Sequence, residues 1–165
     1  MSDKKAITFR AAKSGDGADL WRLIKNAGTL EPNTAYFYLI FAEHFGDTCL
    51  VAEQDGAIVG GVIAYRPPSD SGSVFVWQIG VAPAGRGQGL GKRLLQELMQ
   101  LPACADARWL TATVADDNEI SQRLFRGFAR DKDVSCEESD FFTADMFPQA
   151  HEAERLFRIG PLNNP

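Results

Sequence analysis

The stretch Val81–Arg93, VAPAGRGQGLGKR, decides the reading of this chain. An apolar, β-rich run, Val74–Val81 (VFVWQIGV), leads into it. A leucine-periodic run leaves it, with Leu90, Leu94, Leu95, Leu98 and Leu101 along one side of a helix expected over Leu90–Leu101. The junction is therefore strand, glycine-rich turn, helix. Gly85, Gly87, Gly89 and Gly91 carry no Cβ, so backbone amides there can come close to a ligand. The helix start adds partial positive charge, and Arg86, Lys92 and Arg93 add full charges. Such a junction suits phosphate or pyrophosphate. Alternating glycines at a helix start weaken the helix, and an anion site is a reason to keep them.

Spacing separates the phosphate ligands. A P-loop needs GxxxxGK[ST], but Arg86 stands where the first glycine belongs and Arg93 where Ser or Thr belongs. A dinucleotide fingerprint needs GxGxxG. Counted from Gly85 its last position is Leu90, and counted from Gly87 it is Lys92. Both patterns fail.

Upstream of the loop, Ala6–Ala11 reads as a strand and Asp16–Ala27 as a helix with Leu20, Leu23, Ile24 and Ala27 on one face. Gly28 is placed to end that helix. Asn33 is expected to cap a second helix running to about Phe45. Its aromatic residues, Tyr36, Phe37, Tyr38, Phe41 and Phe45, read first as core packing. Thr48–Glu53 and Ala57–Tyr65 are β-rich runs around Asp55-Gly56, a strong hairpin signal. Pro67–Gly72 is a loop. Downstream, Arg108–Val114 reads as a strand, then Asn118–Phe128 as a helix with Ile120, Leu124 and Phe128 inward. The pattern then weakens until a last strand at Arg155–Ile159. Consecutive strands in the middle imply antiparallel pairing, and the later alternation of strand and helix implies a parallel portion. The expected fold is α/β, a mixed sheet with helices on both faces. With no repeat or linker, a single domain over 1–165 is expected, its core about 6–162.

Composition narrows the function. Seventeen Lys and Arg against 22 Asp and Glu give a net charge of −5 over 165 residues. That argues against a nucleic-acid partner, whose phosphates need clustered cations. A hydrophobic share of 45% supports a packed core. Cys49, Cys104 and Cys136 are scattered, and His44 and His151 lie near none of them, so neither a disulfide framework nor a metal site is expected. MSDKKAITFR has no signal-like apolar core, and the longest apolar run, Tyr36–Ala42, is too short to span a bilayer. A soluble cytoplasmic protein is expected, with no membrane partner.

Arg86–Gly91 (RGQGLG) resembles the acetyl-CoA pyrophosphate loop of the GCN5-related N-acetyltransferases, the GNAT superfamily. Asn118–Phe128 (NEISQRLFRGF) resembles that family's second signature, and the two motifs stand in the family's order. Phrases from about Phe9 to Leu162, among them NTAYFYL, FVWQIGVAP, TVADDNE and HEAERLFRIGPL, resemble the diaminobutyrate acetyltransferase branch. The resemblance implies a mostly antiparallel sheet with a splayed central strand pair. It also implies acetyl-CoA as co-substrate, a homodimer, and conversion of L-2,4-diaminobutyrate to its N4-acetyl product in ectoine biosynthesis. Other acceptors, a polyamine or another diamine, and a non-catalytic CoA-binding module are the competing readings.

The chemistry then assigns roles. Acetyl-CoA contacts are expected at Ile79, Val81, Arg86, Gly87, Gly89, Leu90, Gly91, Lys92, Asn118, Ser121 and Phe125. Backbone amides around Ile79–Val81 are the family's oxyanion donors. Many relatives carry a tyrosine acid where this chain has Phe125, which cannot donate a proton. A free alkylammonium has a pKa near ~10, so the site must remove a proton, and Glu154 and His151 are the candidates. Glu31 and Glu154 are the candidate anions for the α-ammonium. Asn33 and Thr34 suit the carboxylate, and Tyr36, Trp77 and Thr111 complete the expected substrate contacts.

Overall fold

The computed structural model describes residues 3–28 and 32–162. The strands are β1 (Thr8–Ala11), β2 (Leu50–Gln54), β3 (Ala57–Tyr65), β4 (Ser73–Val81), β5 (Trp109–Ala115), β6 (Ser135–Phe142) and β7 (Glu154–Gly160). The helices are α1 (Gly17–Ala27), α2 (Ala35–His44), α3 (Leu90–Leu98) and α4 (Glu119–Asp131). Where one domain is expected, the residues group into two compact units. One holds the chain up to Tyr65 together with Gln78–Ala105; the other holds Arg66–Trp77 and the chain from Asp106 on. Strand β4 contributes to both.

In the first unit the strand order is β1-β2-β3-β4, with β1–β2 and β2–β3 antiparallel. The β2–β3 turn is the expected one: Asp55 at φ 53 and Gly56 at φ 79 have the positive φ that a tight hairpin demands. Helices cover both faces, as two adjacent glycines of β3 show. A Cβ on Gly60 would stand 3.1 Å from Leu94 of α3, and one on Gly61 would stand 2.9 Å from Leu20 and Leu23 of α1. Neighbouring strand residues point to opposite faces, so α3 and α1 lie on opposite sides. Leu20, Leu23, Ile24, Tyr38, Phe41, Val51 and Ile63 form the core on the α1–α2 side.

Several boundaries differ from expectation. Strand β1 starts at Thr8 rather than Ala6, where its ladder with β2 begins at Thr8↔Glu53. The N-cap of α2 is Thr34, not Asn33: the Thr34 Oγ1 accepts from the Phe37 N–H at 3.4 Å. Asn33 instead donates its backbone N–H to the Tyr38 hydroxyl at 3.1 Å. Cys49 precedes β2 rather than lying in it. Helix α3 ends at Leu98, and Leu101 sits in the following turn.

One polar cluster ties the first unit at its N-terminal end. The Arg10 guanidinium donates to both Asp16 carboxylate oxygens, at 2.7 and 2.9 Å, and its Nε to Glu53 at 2.6 Å. Lys13 N–H also donates to Asp16, at 2.7 Å. Arg10 thereby holds the Asp16 carboxyl below its ordinary value. A lowered folded-state pKa stabilises above the unfolded pKa and loses that contribution as pH falls through the folded value. Asp16→Asn should therefore cost about 1–3 kcal/mol in urea unfolding at pH 7, and the gap to wild type should shrink as the pH falls below the ordinary aspartate value of ~3.9. A gap that does not depend on pH would show that the charge is not what matters.

In the second unit the order is β4-β5-β7-β6. β4 and β5 are parallel, linked through α3; β5–β7 and β6–β7 are antiparallel. The β4–β5 ladder runs only from Ser73↔Trp109 to Val76↔Ala112, although β4 continues to Val81 and β5 to Ala115. Strand β6 was not expected, since SCEESDFF lacks a buried face: it is an edge strand held by pairing to β7. Helix α4 buries Phe125 and Phe128 as its core face, while Ile120, expected inward, is 59% exposed. The helix runs on to Asp131, and its buried residues are Phe125, Gly127, Phe128 and Ala129. Among the described residues, no helix is long and apolar enough to cross a membrane, and no three His, Cys, Asp or Glu are grouped to hold a metal.

Candidate active site

The glycine-rich loop is built as the spacing predicts, but its glycines divide the work. Gly87 (φ 79) and Gly89 (φ 64) have left-handed backbone, and a Cβ on either would meet open space. Gly89 is the N-cap of α3 with no side-chain cap, so the first amides of the helix, at Leu90 and Gly91, have no acceptor within it. Gly85 serves packing instead. A Cβ there would stand 3.0 Å from the Val59 carbonyl oxygen and 3.1 Å from Leu90. Leu90 is correspondingly buried, so its expected contribution reduces to its backbone amide. Lys92 is half-buried on the first turn of α3. Arg86 donates to the Ala27 carbonyl at 2.7 Å, and Arg93 lies over the Phe9 ring at 4.9 Å.

On β4, burial alternates. Trp77, Ile79 and Val81 lie on the more open face, Trp77 being 46% exposed, whereas Gln78 and Gly80 are buried. Gly80 lies close against Ile24 of α1. Tyr36, on the first turn of α2, is 69% exposed. Asn33 and Thr34 stand together at the start of α2. Glu31 lies outside the described residues. Thr111 does not fit its expected role: it is buried in β5, and its hydroxyl donates to the Val74 carbonyl at 3.5 Å. Strand packing accounts for it.

The second motif proves largely architectural. The Asn118 side-chain oxygen accepts from the Ser121 N–H at 3.1 Å and so caps α4. Phe125 is buried edge-on to Phe157, ring centroids 6.4 Å apart. A phenyl ring donates no proton, so Phe125→Leu should leave kcat within roughly tenfold, short of the ~10²-fold that loss of a general acid costs. A larger fall in a folded variant would show that the ring does more than pack.

Glu154 opens β7 with Ala115 of β5 as its partner on one side and Phe142 of β6 on the other. Burial between these strands pushes its carboxyl above the ordinary value; Asp117 pushes the same way and His151 opposes. Asp117 follows Ala115 by two residues, a neighbour no sequence pattern points to. His151 stacks on Phe147, centroids 4.0 Å apart, and its Nδ1 is 2.6 Å from the Glu152 carbonyl oxygen. A carbonyl can only accept, so Nδ1 carries a proton in this contact.

The family model described as the acetyltransferase (GNAT) family matches residues 18–128. The chain is 43% identical to the L-2,4-diaminobutyric acid acetyltransferase of Shouchella clausii, over 99% of this chain and 92% of that protein. It is 45% identical to that of Halalkalibacterium halodurans, over 95% and 83%. A solved structure of diaminobutyrate acetyltransferase EctA from Paenibacillus lautus, in complex with its substrate L-2,4-diaminobutyric acid and coenzyme A, aligns with TM-score 0.90 and 39% identity over 97% of this chain and 98% of that one. A Salmonella typhimurium acetyltransferase with acetyl-CoA, at 18% identity and TM-score 0.70, shares the fold.

Proposed function

The chain belongs to the GNAT acetyltransferase family, and from that premise we propose how its residues divide the work of acetylating L-2,4-diaminobutyrate. Diaminobutyrate acetyltransfer is its function, and acetyl-CoA its co-substrate. The observation that carries this is likeness along nearly the whole chain to an enzyme that holds that substrate and coenzyme A together.

The loop fits a pyrophosphate. Gly87 and Gly89 leave open space where side chains would stand, and the first amides of α3 lack acceptors within the helix. Gly87, Gly89, Gly91 and the Leu90 amide would hold the diphosphate, with Arg86 and Lys92 adding charge. Ile79 and Val81 would offer backbone groups, and Asn118, Ser121 and Phe125 would border the coenzyme. Acetyl-CoA supplies the activated acetyl thioester. The chain supplies the deprotonation: Glu154, its carboxyl raised by burial, accepts a proton from the 4-ammonium, directly or through water, and His151 acts beside it. Glu31 holds the α-ammonium protonated and therefore unreactive. Asn33 and Thr34 receive the carboxylate at the positive start of α2, where Thr34 can donate its hydroxyl proton while its oxygen caps the helix. Tyr36 and Trp77 flank the acceptor. The enzyme is proposed to act as a homodimer in the cytoplasm.

This division predicts a single regiochemistry. NMR of the wild-type product should show acetyl on the 4-nitrogen. Predominant 2-acetyl product would overturn the assignment of the anchored nitrogen.

A further inference from the structure

The buried hydroxyl of Tyr38 has two partners whose positions matter more than their number. Tyr38 is fully buried on the inner face of α2, its ring edge-on to Phe37 at 5.0 Å. Its O–H donates to the Gln78 Oε1 at 2.7 Å, and its oxygen accepts the Asn33 backbone N–H at 3.1 Å. Gln78 is itself buried, in β4 between Trp77 and Ile79. One hydroxyl thus joins the residue before the α2 cap to the middle of β4, and its bond to Gln78 alone spans 40 positions of sequence. A phenylalanine would fill the same space, and core packing alone does not call for the oxygen.

We infer that Tyr38 and Gln78 are positioning residues for the acceptor: their hydrogen bond, extended to Asn33, fixes the start of α2 against β4 and so sets where the diaminobutyrate carboxylate is received. This rests on the proposed role of Asn33 and Thr34. Neither Tyr38 nor Gln78 needs to touch the substrate. Without the hydroxyl, the part-buried Asn33 N–H and the buried Gln78 oxygen no longer share a bonding partner, and the start of α2 is no longer tied to β4 through it. The coenzyme loop does not depend on this link, because Gly87 and Gly89 are set by their own backbone conformation and by the α3 start.

The test is steady-state kinetics on Tyr38→Phe, Gln78→Met and the double variant, with thermal melts and diaminobutyrate calorimetry alongside. Each single variant should raise KM for diaminobutyrate about tenfold, leave kcat within about twofold, and leave KM for acetyl-CoA unchanged. The double variant should be no worse than the singles, since both cut one link. Wild-type KM for diaminobutyrate in folded Tyr38→Phe, however far its Tm falls, overturns the inference and leaves the bond a packing device. A parallel rise in both KM values overturns it too, as general loosening. If the wild type neither binds nor acetylates diaminobutyrate, the functional reading fails first and the inference with it.

Discussion

Glu154→Gln should lower kcat by about 10²–10⁴-fold, the span expected for loss of a general base, with KM for acetyl-CoA little changed. Gln keeps the shape and hydrogen-bonding capacity at the start of β7 but accepts no proton near neutrality. The pH profile adds a sharper signature. A base works only when ionised, so kcat should fall on acidification, along a limb set by Glu154. Burial and Asp117 raise that carboxyl, so the limb should lie above the ordinary glutamate value of ~4.3. Asp117→Asn removes a like charge and should move the limb down. His151→Gln removes a group that favours the ionised form and should move it up. Stability should run the other way from activity. A raised folded-state pKa contributes stability below the unfolded value and loses it as pH rises through the folded value. Near neutrality, where ionising the half-buried carboxylate costs stability, Glu154→Gln should melt no lower than wild type. A variant with full turnover removes Glu154 from the chemistry. One that is inactive only because it has unfolded shows a structural role instead.

Gly89→Val should weaken coenzyme A binding by on the order of 10²-fold, read by calorimetry on folded protein, as when a couple of charge-assisted hydrogen bonds are lost. Two effects add. At φ 64 a β-branched residue is strained, so the α3 start shifts. Its methyl groups would also occupy the open space that lets the Leu90 and Gly91 amides be approached. Gly56→Val separates the two effects. It imposes similar strain at φ 79 with similar open space, but in the β2–β3 hairpin. It should lower Tm and leave coenzyme affinity intact. Equal losses from both substitutions would mean that strain alone explains the result, and unchanged affinity in Gly89→Val would end the loop assignment.

The sequence by itself determined what depends on near neighbours along the chain. The alternating glycines before a leucine-periodic run, the Asp55-Gly56 turn, the Gly28 stop at φ 76 and the Asn118 start of α4 are all settled within a few residues. Backbone sterics and capping act over that range, so spacing carries them. The resemblance of two motifs carried the family as well. The tertiary structure alone decided what depends on burial and on distant partners. Thr34 rather than Asn33 caps α2, and the Asn33 amide is held by a Tyr38 hydroxyl that is itself anchored on Gln78 of β4. Polar β6 is a strand because β7 supplies its hydrogen bonds, not because its residues alternate. Gly85 and Thr111 belong to packing rather than to a ligand because Val59 and Val74 come to meet them. Glu154 is an unusual carboxylate only because β5 and β6 close around it and bring Asp117 near. Desolvation and charge proximity are properties of a place in space, and one-dimensional spacing does not encode them.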